Sequence, residues 1–178
     1  MLAERVVTAG SKPVLVPESP AHAPALERVL NRAFGPGRFA KTSERVREEG
    51  ARHRLDLSRA ALLGGGPIGC CRLHDVAVGD SAALLLGPLA VDPDHQHDGL
   101  GAALVAATIE AARPGGGAII VVGAPAFFAP FGFAAIPKGR ITLPGPVDPA
   151  RFMWLALAEG ALDQLAGAVT APRAATRT

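Results

Sequence analysis

Residues 82–91 read AALLLGPLAV and are apolar at nearly every position. Such a run suits a strand covered on both faces. Gly87-Pro88 sits in its middle. Proline has no N–H to give a sheet ladder, so the strand must bulge or open there. A polar loop at residues 93–98 (PDHQHD) follows. The pattern then predicts a helix over 100–113, with Leu104, Val105, Ile109 and Ala112 on its apolar side. A second fully apolar strand, AIIVV, comes at 118–122. This is the only strand–helix–strand crossover the pattern shows. It argues for a mixed α/β sheet rather than a doubly wound parallel one.

The flanking segments supply the rest of that sheet. A strand is predicted at 12–17 between prolines. Ser19-Pro20 starts a helix that buries Leu26, Val29, Leu30, Ala33 and Phe34. Residues 42–49 predict a second, charged and exposed helix. Strands at 54–63 and 68–78 form a hairpin across Gly64-Gly65-Gly66-Pro67. No Gly-Lys-Ser/Thr follows those glycines, so they are not a phosphate loop. A turn or short helix is expected at 125–130. A strand region starts at Phe131-Gly132-Phe133, and the last strand at 152–158. The tail over 170–178 is expected to fray.

A length of 178 residues fits one domain spanning 1–178. With 49% hydrophobic and 19% charged residues the chain is globular in composition. Cys70 and Cys71 are adjacent, which excludes a disulfide scaffold and a four-cysteine zinc site. On a strand their side chains point to opposite faces and serve as small apolar residues. Reduced cysteines suit the cytoplasm, the expected location. No apolar run reaches the roughly 18 residues of a membrane span. The opening MLAERVVTAG lacks the apolar core of a signal peptide. Net charge is +2, and the arginines form no stripe with stacking aromatics. Nucleic-acid binding is therefore not expected. A homodimer is suggested by the apolar composition alone.

The segment from Leu89 to Gly101 carries the chemistry. A buried strand ends, a polar loop follows, and Gly99 and Gly101 open a helix. The first helical turn has unpaired N–H groups and partial positive charge. Glycines let a ligand approach it closely. This suits a phosphate or pyrophosphate. The same residues also describe an ordinary glycine-rich strand-to-helix turn. The dinucleotide fingerprint is excluded, because Leu104 does not continue it and seven residues separate Val91 from Gly99.

Gln96-x-x-Gly99-x-Gly101, after a strand ending Leu-Ala-Val-Asp-Pro, resembles the acetyl-CoA signature of the GNAT superfamily of N-acetyltransferases. Phe131-Gly132-Phe133 is similar to that family's Gly-Phe landmark, and residues 33–42 resemble a bacterial subgroup of predicted acetyltransferases. The resemblance covers about residues 12–157. It implies a mostly antiparallel central sheet flanked by helices, with strands 82–91 and 118–122 splayed. It implies that Leu89, Ala90 and Val91 line acetyl-CoA, the cosubstrate, and that a backbone N–H of Leu89 or Ala90 meets the thioester oxyanion. Gln96, His97, Asp98, Gly99, Leu100, Gly101 and Ala102 would wrap the pyrophosphate. An amine of a small molecule or peptide would attack the thioester directly, and no metal is expected.

Two positions depart from the family. Asp98 replaces the usual Arg or Lys before the first glycine, and His97 offsets it when protonated. Phe128 stands where the family commonly has the tyrosine that protonates the leaving thiolate, and the chain has no tyrosine. Losing a general acid costs about 10²–10⁴ in rate, but a thiol of pKa about 8.5 leaves tolerably without help. His74 is the first choice for general base, ahead of Asp56 and Asp75. His95 and His97 lack a third metal ligand. A CoA-binding module with little or no catalysis is the alternative reading, and an interaction domain that lost its ligand is a third.

Overall fold

A computed structural model describes residues 12–96 and 99–172 of the chain. His97 and Asp98 lie outside the described residues, as does most of the expected tail, 173–178. Strand β1 (Val14–Pro17) leads through a single turn at Pro20–His22 into helix α1 (Ala23–Phe34). Leu26, Val29 and Leu30 recur at helical spacing and are buried. Gly35, at φ +64°, stops the helix and returns its N–H to the Asn31 carbonyl. Helix α2 (Thr42–Glu48) and strands β2 (Arg52–His53), β3 (Arg59–Leu63), β4 (Gly66–Val78) and β5 (Ser81–Val91) follow. Then come α3 (Leu100–Ala112), β6 (Ala118–Val122), α4 (Pro125–Phe128), β7 (Ala134–Ala135), β8 (Ile141–Thr142), β9 (Phe152–Ala156) and β10 (Gly167–Thr170).

The sheet runs β1-β3-β4-β5-β6-β9-β7, with β2 and β10 also paired to β4 and β8 paired to β10. Among the described residues only β5–β6 and β8–β10 are parallel. The fold is thus a mixed, mostly antiparallel open sheet flanked by helices, as the sequence implied. Cys71, Leu73, Leu86, Ile119 and Val121 face α3. Cys70, Ala60 and Ala90 face α1. The two cysteines therefore serve opposite cores, and burial pushes both thiols up to about 12. Val76 shares Cys70's parity on β4 and packs with Val46 of α2, so α1 and α2 cover the same face.

Three expectations need correction. Helix α2 is not an exposed helix: Val46 is fully buried and the Arg47 side chain is only 10% exposed. Its charged composition reads as solvated because the residues that cover it are distant in sequence. The strand expected over 54–63 is broken at 54–58. There Ser58 Oγ bonds the Arg54 carbonyl, and Asp56 binds the Arg54 guanidinium. Short polar side chains of this kind compete with the sheet ladder for the backbone. The sheet also continues past 158. Val169 and Thr170 pair with Val78 and Ala77, so Thr170 is held on β4 rather than frayed.

No helix among the described residues is long and apolar enough to cross a membrane. Leu104, fully buried, is the centre of the α3 layer. Leu104→Ala is expected to cost about 2–5 kcal/mol, read as a lower urea midpoint at unchanged slope.

Candidate active site

Strands β5 and β6 pair only through Leu84, Leu85 and Leu86, opposite Ile119, Ile120 and Val121. Beyond Leu86 they part. The cause lies on the other edge of β5. Leu73 pairs with Leu86 and Cys71 with Leu89, so Gly87 and Pro88 together oppose the single residue Arg72. Two residues against one is a β-bulge. It reverses the alternation of β5: Leu85 and Ala90 face the α1–α2 side, while Leu86 and Val91 face α3.

Past the bulge, the Asp92 N–H bonds the Ile68 carbonyl of β4. Alternation turns the Ala90 N–H toward β4 as well, and the Leu89 N–H away, toward the gap left by β6. Gln96 Nε2 donates to the Val91 carbonyl on that same open side at 3.1 Å. Its side chain is thus committed to shaping the loop. Gly99 caps α3 at φ +68°, and a β-carbon there would meet nothing within 4 Å. The space above the helix start is open to a ligand. Leu100 is buried, so it can offer only backbone. Gly101 follows in the first turn, and Ala102 is half-buried beside it. A 13-residue helix with an open, glycine-capped N-terminus beside a parted strand pair fits a long anionic ligand such as CoA.

On the α1–α2 face the parted strands open into a cavity of about 400 Å³. Leu89, His74 and Phe128 line it. The cavity therefore brings together three residues that the sequence nominated for different roles. Ala90, Val91, Gln96 and residues 99–102 do not line it. The Phe128 ring is 5% exposed and meets Phe127 and Phe133 edge-on at 4.9 and 5.4 Å. A β-carbon on Gly123 would sit 2.2 Å from this ring, so only glycine admits it. Asp56 and Asp75 lie elsewhere, both held by Arg54.

His74 is 7% exposed, with Nδ1 buried and unpartnered. Burial pushes its imidazole down to about 3, helped by Arg47, His53 and Arg72. It is neutral at pH 7. The His53 ring stacks on it at 5.0 Å. Behind them lies a polar network that sequence reasoning missed. Glu18, whose side chain is 1% exposed, takes a forked bond from Arg72 at 2.7–3.0 Å. His53 Nε2 sits 3.1 Å from Ser58 Oγ, which accepts from the Leu73 N–H. One signal was available: Arg72 and His74 alternate with apolar Cys71 and Leu73, which marks a polar stripe on a covered strand. Glu18 gave none.

Residues 58–135 match the family model of the acetyltransferase (GNAT) domain. The chain is thus similar over this segment to a GNAT acetyltransferase domain. It is similar to the GNAT family N-acetyltransferase YhbS of Escherichia coli, solved with CoA, at 27% identity over 90% of each chain and a TM-score of 0.75. A GNAT family acetyltransferase from Brucella melitensis with acetyl-CoA shares the fold at 22% identity, 89% and 95% coverage and a TM-score of 0.64. So does the ribosomal-protein-S18-alanine N-acetyltransferase of Escherichia coli, at 21%, 84% and 96%, and 0.59. Comparison with curated proteins gives no match. Acetyl transfer is the general activity that this likeness supports.

Glu18→Gln leaves buried Arg72 with only the more distant Glu27, at 3.6 Å, as counter-charge and is expected to destabilise the fold by up to about 3–5 kcal/mol, measured by urea unfolding. His74 makes acid destabilising. The unfolded chain takes up its proton near the ordinary value of 6.5, the folded chain only near 3. Stability is therefore complete above pH 6.5 and falls as pH drops toward 3. Urea midpoints at pH 7, 5 and 4 should decline less steeply in His74→Gln. A residual slope remains from His53, whose burial lowers it in the same direction.

Proposed function

We propose that this chain, read as a single domain, transfers the acetyl group of acetyl-CoA directly to an amine of a small molecule or peptide. The observation that carries the reading is the opening of β5 from β6 beside the open, glycine-capped start of α3. Acetyl-CoA, as cosubstrate, supplies the activated acetyl group. Gly99, Leu100, Gly101 and Ala102 offer backbone N–H groups to its pyrophosphate, with Gln96 holding the loop. His97 and Asp98 belong to the same loop by sequence. Leu89, Ala90 and Val91 form the strand edge along the pantetheine. Of the two N–H candidates for the oxyanion, strand alternation favours Leu89, since Ala90 is turned to β4.

His74 lines the cavity but is a poor base, because its cationic form is disfavoured by burial and nearby arginines. Its part is then to accept a hydrogen bond from the amine through Nδ1, while a neutral fraction of the amine attacks. Phe128 walls the cavity and cannot protonate the thiolate, which leaves on its own acidity with water as proton source. Phe128 is also what favours the second reading, a CoA-binding module with little or no catalysis.

Calorimetric titration with acetyl-CoA tests the first step. Micromolar affinity is expected, weakened at least about tenfold by Gly99→Trp, equivalent to about 1.4 kcal/mol. Unchanged affinity in the variant would remove the loop from the site. Thiol release over a panel of amines then separates enzyme from binding module.

A further inference from the structure

The cavity on the α1–α2 face holds more positive charge than its own carboxylates neutralise. Arg72 is matched by Glu18 and Arg38 by Glu27. Lys41 and Arg151 also line the cavity, and no ion pair engages either among the described residues. Lys41 stacks over the Phe34 ring at 4.0 Å, and burial together with Arg151 and Arg47 pulls its ammonium down. Only Glu48, at the exposed rim, adds an uncommitted carboxylate.

Arg47 is the sharpest feature of this wall. Its side chain is nine-tenths buried. Nε and Nη2 donate to one Glu44 oxygen at 3.1 and 2.6 Å. Nη1 is buried in the cavity wall with no partner. A guanidinium N–H withdrawn from water and left unpaired is costly, and its natural complement is a carboxylate oxygen. The group also sits at the reacting end of the cavity. A β-carbon on Gly87, in the β5 bulge, would lie 3.3 Å from Nη1. The residues that start α3 line a different surface. The anion that Arg47 awaits therefore belongs to the acceptor, not to the phosphates of CoA.

We propose that the acceptor is a small amino acid, whose carboxylate is held by Arg47 while its amine faces the Leu89 edge. This rests on the acetyl-transfer reading above and narrows it. Amine and carboxylate must lie in one molecule small enough for about 400 Å³. A peptide presents its carboxylate far from its N-terminal amine, so it fits less well. In the reaction the amine nitrogen bonds the acetyl carbonyl carbon and the C–S bond breaks. The proton lost by nitrogen ends on the CoA sulfur. The products are an N-acetyl amino acid and CoA thiol.

The test runs in two arms. CoA binding is measured first by calorimetry. If CoA does not bind, the acetyl-transfer reading fails and this inference with it. With CoA binding established, thiol release from acetyl-CoA is followed with a panel of α-amino acids, β-alanine, their carboxamides and simple alkylamines. The expected result is at least one acid used about 100-fold better than its carboxamide in kcat/KM, about 2.7 kcal/mol at 1.36 kcal/mol per tenfold. Arg47→Gln should erase that preference by raising KM for the acid at least tenfold, with CoA affinity unchanged and a wild-type urea midpoint as the folding control. Equal use of acids and carboxamides by the unaltered protein overturns the proposal whatever the variant does. So does a loss of CoA affinity in Arg47→Gln, which would assign the anion to the cosubstrate. CoA binding without turnover of any acid also overturns it.

Discussion

The site depends on one irregularity in β5. Gly87 and Pro88 oppose Arg72 alone, and proline brings no N–H to the ladder. The strand therefore keeps β4 as a neighbour but loses β6 after Leu86. An unpaired strand edge inside a sheet is normally a defect, since its N–H and C=O groups need partners. Here the defect is confined to a few residues, and in the proposed function the ligand completes the pairing. The same bulge reverses the side-chain alternation of β5. That allows one strand to pack against α3 through Leu86 and Val91 while Ala90 faces α1.

Keeping such a gap open requires rigid walls. On the α3 side the wall is apolar: Leu104, Val105 and Ile109 sit over Ile119 and Val121. On the α1–α2 side it is polar and buried. Glu18 and Arg72 are held together by a forked pair within the fold. Ser58 ties this wall to the backbone of β4 through the Leu73 N–H. A buried ion pair of this kind contributes little net stability compared with apolar packing. Its value is geometric, since the forked pair fixes the Arg72 guanidinium, and the stacked His53 ring backs His74, in the cavity wall.

The absence of a phenolic acid has a physical consequence. Phe128 occupies the pocket that Gly123 leaves and packs against two other phenylalanines. The wall near the reacting end is thus hydrophobic on one side and cationic on the other. In the acetyl transfer proposed above, a thiolate departing into this environment would be stabilised by charge rather than by an adjacent proton donor. Under that proposal the burden falls on electrostatics rather than on a general acid.

Much of the architecture was legible from local pattern. The apolar runs at 82–91 and 118–122 gave the central strands, the interrupting Gly87-Pro88 gave the bulge, and the glycines at 99 and 101 gave the helix start. These signals are short-range, and the chain carries them wherever it folds. Three things were not legible. Helix α2 read as exposed, because the residues that bury Val46 and enclose Arg47 come from β4, β5 and β6. Strand β10 was hidden because four residues of small side chains carry no period of their own and gain structure only on the edge of β4. The pairing of Glu18 with Arg72 crosses 54 positions. Spacing in sequence says nothing about which charges will meet inside a sheet, since desolvation and geometry decide that only after the strands have been set side by side. The sequence alone determined most element types, the break in β5 and the glycine-capped helix start. The tertiary structure decided which face holds the cavity, which charges are neutralised there, and that Arg47 is left with an N–H unpaired.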